Sequence, residues 1–82
     1  MRRAEVLERV RERAVALLEV APEDVQDDKS FVDDLQVDSL SLVEFTMELE
    51  DVFGVELPED ELTQLKTIGS FVDLITTKTE AG

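Results

Sequence analysis

The sequence predicts an all-α fold, a small four-helix bundle of three longer helices and one short one, and three observations carry that expectation. Apolar residues recur at three- and four-residue steps in three separate stretches. Proline, glycine and acidic clusters stand between those stretches, and no run alternates apolar with polar as a strand would. A chain of 82 residues removes only about 60% of its unfolded surface from water on folding. It therefore reads as a single domain over residues 1–82, with one core and no spare interior for a buried active site. With neither cysteine nor histidine, it has no thiol nucleophile, imidazole base or usual transition-metal ligand set.

The first helix is expected from Ala4 to Val20, with Leu7, Val10, Ala14, Leu17 and Leu18 on its apolar face and Pro22 closing it. Residues 23–38 hold six aspartates and no periodic run, so they read as a loop pinned by Val25, Phe31 and Leu35. Ser30 with Asp33 suits a capped turn inside it. The second helix runs from Ser39 to Phe53, with Asp38 as N-cap and Gly54 as the residue that tolerates a left-handed stop. After Pro58, the acidic Glu59, Asp60 and Glu61 suit a first helical turn, and Leu62 and Leu65 give a short third helix. Thr67 caps the fourth, whose apolar face is Ile68, Phe71, Val72, Leu74 and Ile75. That helix is expected to end near Thr77, with Glu80, Ala81 and Gly82 fraying.

Charge narrows the function classes further. The net charge is −13, with five arginines against three glutamates in residues 1–13, so residues 14–82 carry −15. Such a surface repels nucleic acid and anionic lipid, and it attracts basic protein partners through contacts that weaken with salt. The Met1-Arg2-Arg3 start resembles the head of a signal peptide, but Glu5, Glu8 and Glu12 interrupt any apolar segment behind it. No stretch approaches the roughly 20 apolar residues of a membrane span. The chain is accordingly expected to be cytoplasmic.

On a wheel of about 100° per residue, Leu42, Phe45, Leu49 and Phe53 of the second helix form one core stripe with Val52 at its edge. Leu40, Val43 and Met47 fall on the opposite side, among Glu44 and Asp51 and flanked by Glu48 and Glu50. An apolar strip in an acidic ring suits docking of a partner, and a methionine adapts to several partners at one surface. The four serines are unequal. Ser30 and Ser70 have local turn and helix-start roles, and Ser41 is expected to be solvated within the helix. Ser39 stands at the first helical position, between the acidic loop and the strip. With no histidine in the chain and every lysine distant in sequence, it lacks the partners of a catalytic nucleophile. As a site of modification it fits: the unpaired amides of a helix start favour a phosphodiester there, whereas Asp38 opposes it.

Asp38-Ser39-Leu40 opening an acidic helix, preceded by Phe31-Val-Asp-Asp-Leu35 and followed by Phe53-Gly-Val-Glu-Leu-Pro58 and Thr67-Ile-Gly, resembles an acyl carrier protein over nearly the whole chain. That resemblance implies 4′-phosphopantetheine on Ser39, transferred from coenzyme A by a magnesium-dependent phosphopantetheinyl transferase. The terminal thiol of the arm would then carry acyl groups as thioesters, and the chain would be no enzyme but a carrier substrate of others. The resemblance further implies that the second helix meets partners through Asp38, Leu40, Val43, Glu44, Met47, Glu50 and Asp51, and that Leu42, Leu49, Leu62 and Leu65 line an acyl pocket or serve as ordinary core. Partners implied are the transferase and acyltransferase- and ketosynthase-type enzymes with basic patches, meeting a monomer. The run from Lys29 to Ser41 is most similar to free-standing carriers of actinobacterial type II fatty acid synthesis, with a discrete polyketide carrier as the alternative. One departure stands out. Many carriers have Gly one or two residues before the Asp, where this chain has Gln36-Val37, so the loop is expected to have less freedom and a different geometry. From the residues alone, the competing reading is an acidic interaction or DNA-mimic module, which would tolerate loss of the Ser39 hydroxyl. No metal site is expected, since no calcium loop of alternating aspartates is present.

Overall fold

A computed structural model describes residues 1–62 and 64–81, the last of these by its backbone alone. Its elements in order are α1 (Arg3–Leu18), a 3-10 turn (Pro22–Asp24), α2 (Ser39–Phe53), α3 (Glu59–Leu62) and α4 (Ile68–Ala81). No strand occurs among the described residues. The all-helical expectation is met, with α1 packed against both α2 and α4.

Helix α1 buries Val6, Val10 and Ala14, a stripe at four-residue steps that continues to the half-buried Leu18. Two expectations are corrected here. Val6 is a full core member that the earlier apolar list lacked, and Leu17, expected inside, is 50% exposed, because the four-step stripe passes to Leu18 and leaves Leu17 at the edge of the last turn. The helix also stops at Leu18, with Glu19 in a left-handed conformation at φ 57, before reaching Val20. Pro22 holds Ala21 extended, so the chain must reverse before it. Arg11 anchors the turn that follows, donating to the Pro22 and Val25 carbonyls at 3.1 and 2.9 Å.

The long loop before α2 is packed from beneath. Val25, Phe31 and Val37 are buried, and Leu35 is half-buried, so Val37 joins the expected pins. The Phe31 ring meets Phe45 of α2 and Phe71 of α4 edge-on, at centroid distances of 5.4 and 5.7 Å. Ser30 caps the turn as expected, its Oγ accepting the Asp33 N–H at 3.1 Å, while Asp34 accepts the Ser30 N–H at 2.7 Å. Gln36 takes φ 57, the left-handed region where glycine is at ease. The restricted freedom expected at this position is therefore met as strain, and the Val37 N–H still reaches the Phe31 carbonyl at 2.8 Å.

The same loop is strapped to α4. Ile68 and Gly69 donate their amides to the carbonyls of Lys29 at 2.7 Å and Asp27 at 3.0 Å. A Cβ at position 69 would stand 2.9 Å from the Asp27 carbonyl oxygen, which is why a glycine occupies a helix start here. Arg3 closes the junction through Asp27, Asp73 and the Gly69 carbonyl. Thr67 caps α4 as expected, accepting the Ser70 N–H at 3.1 Å. The helix runs to Ala81, past the expected end near Thr77, and Gly82 lies outside the described residues. Thr76 and Thr79 turn their hydroxyls to the Val72 and Thr76 carbonyls, and α4 keeps its register through this threonine-rich stretch. Helix α3 is one turn long and excludes Leu65, which lies beyond its end.

Candidate functional site

The start of α2 is built by Asp38. Extended at φ −75 and ψ 165, it turns its Oδ1 to the Ser41 N–H at 2.7 Å and takes one of the four amides that a helix start leaves unpaired. That backbone hydrogen bond, followed by contributions from the Ser41 hydroxyl and the Leu40 amide, holds the Asp38 carboxyl below the ordinary carboxylate range. At the other end Gly54 adopts φ 64 and donates its N–H to the Glu50 carbonyl at 2.8 Å, so both expected boundaries of α2 stand.

Ser39 is exposed at the first position of this helix, and its hydroxyl makes no hydrogen bond to another described residue. It stands at a groove of about 220 Å³ walled by the loop, α2, the α3 region and the start of α4. The groove brings Ser39 together with Leu42, Leu62 and Leu65, three of the four leucines expected there. Leu49 is the exception: it is fully buried among the core residues and does not line the groove. It shares the Leu42 face of α2, about 20° away on the wheel, but stands nearly two turns further along the helix from Ser39.

Among the lining residues that the sequence did not flag as such are Phe31, Thr46 and Phe71. Thr46 is legible afterwards: it stands one turn beyond Leu42, and its hydroxyl is satisfied by the Leu42 carbonyl at 2.8 Å, so that it shows the groove a methyl group. The phenylalanines carried no local signal, because they reach the groove from the loop and from α4.

The outer face of α2 is as expected in its exposure. Leu40 is 69%, Val43 46% and Met47 60% exposed, with Glu44 and Asp51 in solvent among them. Val43 belongs both to this strip and to the groove wall, so the two surfaces are continuous. The flanking acids are tied inward. Glu50 accepts the Leu57 N–H at 2.9 Å, and Glu48 pairs with Arg13 of α1 at 3.5 Å. Glu44 and Asp51 are thus the freely solvated carboxylates of the strip, with Asp38 at its head.

Chemically, an exposed and unpaired primary hydroxyl at a helix start can accept a phosphodiester without breaking any existing contact. Whatever such a group carries would then lie against an apolar groove. The residues present fit a covalently attached arm, and they offer no acid–base pair that would make Ser39 a catalytic nucleophile. Among the described residues no cluster of three metal-ligating side chains occurs, and no helix is long and apolar enough to cross a membrane.

Comparison with known proteins gives the same reading. A family model described as the phosphopantetheine attachment site matches residues 8–75. An acyl carrier protein of Thermosynechococcus vestitus is 43% identical over 81 residues, which cover 99% of this chain and all of that one. One from Acidothermus cellulolyticus is 55% identical over 56 residues, covering 68% of this chain and 67% of the relative. The solved structure of the acyl carrier protein from Enterococcus faecalis superimposes with a TM-score of 0.79 at 36% identity, over 95% of this chain and 99% of that one. The chain therefore belongs to the acyl carrier proteins, carriers rather than enzymes, whose domain bears a covalently attached 4′-phosphopantetheine.

Proposed function

We propose that Ser39 is the attachment point of 4′-phosphopantetheine, and that the chain, as one domain and one monomer, presents acyl groups to the enzymes of type II fatty acid biosynthesis in the cytoplasm. The observation that carries this reading is the exposed, unpaired Ser39 hydroxyl beside an apolar groove at the head of α2. When bound, the group supplies a flexible arm ending in a thiol, on which acyl chains are held as thioesters.

The chain's own residues have separable tasks. Ser39 Oγ would form the new bond to the phosphopantetheinyl phosphorus as the pyrophosphate bond of coenzyme A breaks and adenosine 3′,5′-bisphosphate leaves; the base that takes the Ser39 proton belongs to the transferase, since the Asp38 carboxylate is turned to the Ser41 amide. Leu42, Leu62 and Leu65 exclude water from the groove beside it. Leu40, Val43 and Met47 make the apolar contact with the phosphopantetheinyl transferase and with acyltransferase- and ketosynthase-type enzymes, while Asp38, Glu44 and Asp51 face their basic patches. Glu50, held by Leu57, acts from the edge of that contact. A relative from Mycolicibacterium aurum, 46% identical over 56 residues, is named a meromycolate extension acyl carrier protein, which supports a role in chain extension.

Intact mass after incubation with coenzyme A, magnesium and a broad-specificity transferase tests the assignment. The parent is expected to gain one phosphopantetheinyl group and Ser39→Ala none, with unchanged circular dichroism. A folded parent that gains nothing beside a working control carrier returns Ser39 to a helix-start role and favours an acidic interaction module.

A further inference from the structure

The anion position at the start of α2 is already partly filled. Asp38 occupies the Ser41 amide, so a phosphodiester on Ser39 finds the helix terminus partly neutralised by a carboxylate one residue away. It also adds a negative charge to a chain of net −13. An anion in that setting needs a countercharge from elsewhere in the fold.

The groove holds one. Of the residues lining it, Lys66 is the single cation and Glu59 the single anion, the rest being apolar or hydroxylic. Lys66 is exposed and forms no ion pair with a described residue, in contrast to Lys78, which stands 3.1 Å from Glu61. Its backbone, however, is well placed. The next residue, Thr67, caps α4, and the Ile68 amide after it is held by the Lys29 carbonyl at 2.7 Å. A backbone held at its neighbours, with a free ammonium on a flexible stem, suits a phosphodiester, because lysine acts as a mobile point charge with three donors. Lys29 does not line the groove.

We propose that Lys66 is the counter-ion of the Ser39 phosphodiester and holds the root of the arm at the mouth of the apolar groove. The proposal rests on the reading that Ser39 is the attachment point. Lys66 is then a positioning residue: it offsets the repulsion from Asp38 and keeps the arm on the groove side of α2, away from the solvated side of Glu44 and Asp51.

The test uses the full chain loaded by a transferase, with the mass gain confirmed first. Phosphorus NMR of the loaded protein and the Lys66 Cε–Hε signal of apo and loaded forms are then recorded at low salt. The Lys66 signal is expected to move on loading while that of Lys29 stays. Lys66→Gln and Lys66→Glu should displace the phosphorus resonance, whereas Lys66→Arg and Lys29→Gln leave it near the parent position. Raising salt to about 1 M, where the screening length is about 3 Å, should erase the difference between parent and Lys66→Gln. Lys66 is exposed, so these variants keep the fold, which the amide spectrum of the same samples verifies. A loaded protein whose phosphorus resonance ignores Lys66→Gln and Lys66→Glu, or responds equally to Lys29→Gln, overturns this proposal and leaves the attachment at Ser39 intact. Absence of any mass gain overturns both.

Discussion

Gln36 and Asp38 bracket the turn that delivers Ser39, and each carries a cost or a gain that one substitution exposes. Gln36 sits at φ 57, a conformation that L side chains enter at roughly 1–2 kcal/mol. Glycine enters freely but loses more entropy on folding, so Gln36→Gly should stabilise the fold by about 0.5–1 kcal/mol in urea unfolding. A loss of stability in that variant would show that the Gln36 side chain makes up for its backbone. Asp38 has its folded pKa lowered, chiefly by the Ser41 amide. A lowered carboxyl contributes stability that is present above its unfolded pKa, about 3.9, and disappears as pH falls through the folded value. Asparagine also caps helices but does not titrate. The urea midpoint of the parent should therefore exceed that of Asp38→Asn at pH 7, and the gap should close as the pH falls below about 4; a gap that persists at the acid end refutes the assignment.

The elements differ in how they are held, and α3 is the least secured. It has one turn, and Glu61 ties it to the body through its Oε2, which is buried and stands 3.1 Å from the Lys78 ammonium without hydrogen-bond geometry. Lys78→Met would leave that oxygen without its compensating charge. Loss of a fully buried partner costs about 3–5 kcal/mol, but the Glu61 side chain is 41% exposed, so a cost of about 1–2 kcal/mol is expected. The α3 amides should also exchange with solvent faster, because Leu62 would lose its fixed position. Equal exchange in parent and variant would show that apolar packing of Leu62 and Leu65 alone secures the groove wall. Helix α2, by contrast, was readable to the residue: an Asp cap, a Gly stop and a clean apolar stripe agree on its limits. Helix α1 ends two residues before its expected limit, and its expected face holds at Leu7, Val10, Ala14 and Leu18 but not at Leu17, since Leu17 and Leu18 are equal in hydropathy and only the packing of α2 and α4 against α1 distinguishes them.

At the scale of the molecule, self-repulsion dominates. Three of the eight basic side chains are engaged at junctions: Arg3 with Asp27 and Asp73, Arg11 with Glu8 and two carbonyls, Arg13 with Glu48. Residues 14–82 nevertheless carry a net charge of −15. Added salt shortens the range of that repulsion from about 10 Å at 0.1 M to about 3 Å at 1 M. The melting temperature at pH 7 should rise with sodium chloride and rise further with magnesium at equal ionic strength. A flat profile would mean that the apolar core, with Phe31 at the centre of its three rings, carries the stability unaided.

What the sequence determined by itself is local in its physics: the helical class, the limits of α2, the caps at Ser30, Asp38 and Thr67, the exposed face of Leu40, Val43 and Met47, and the singular position of Ser39. Each follows from spacing or from a side chain bonding to its own backbone within a few residues. What the tertiary structure decided is which residues from distant segments share a space. Phe31, Thr46, Leu62 and Phe71 meet around one groove, Leu49 is withdrawn from it into the core, and Lys66 and Ser39 both line it. No periodicity encodes those meetings, because they depend on how a fifteen-residue helix, a one-turn helix and a strapped loop settle against each other when the apolar surface leaves water.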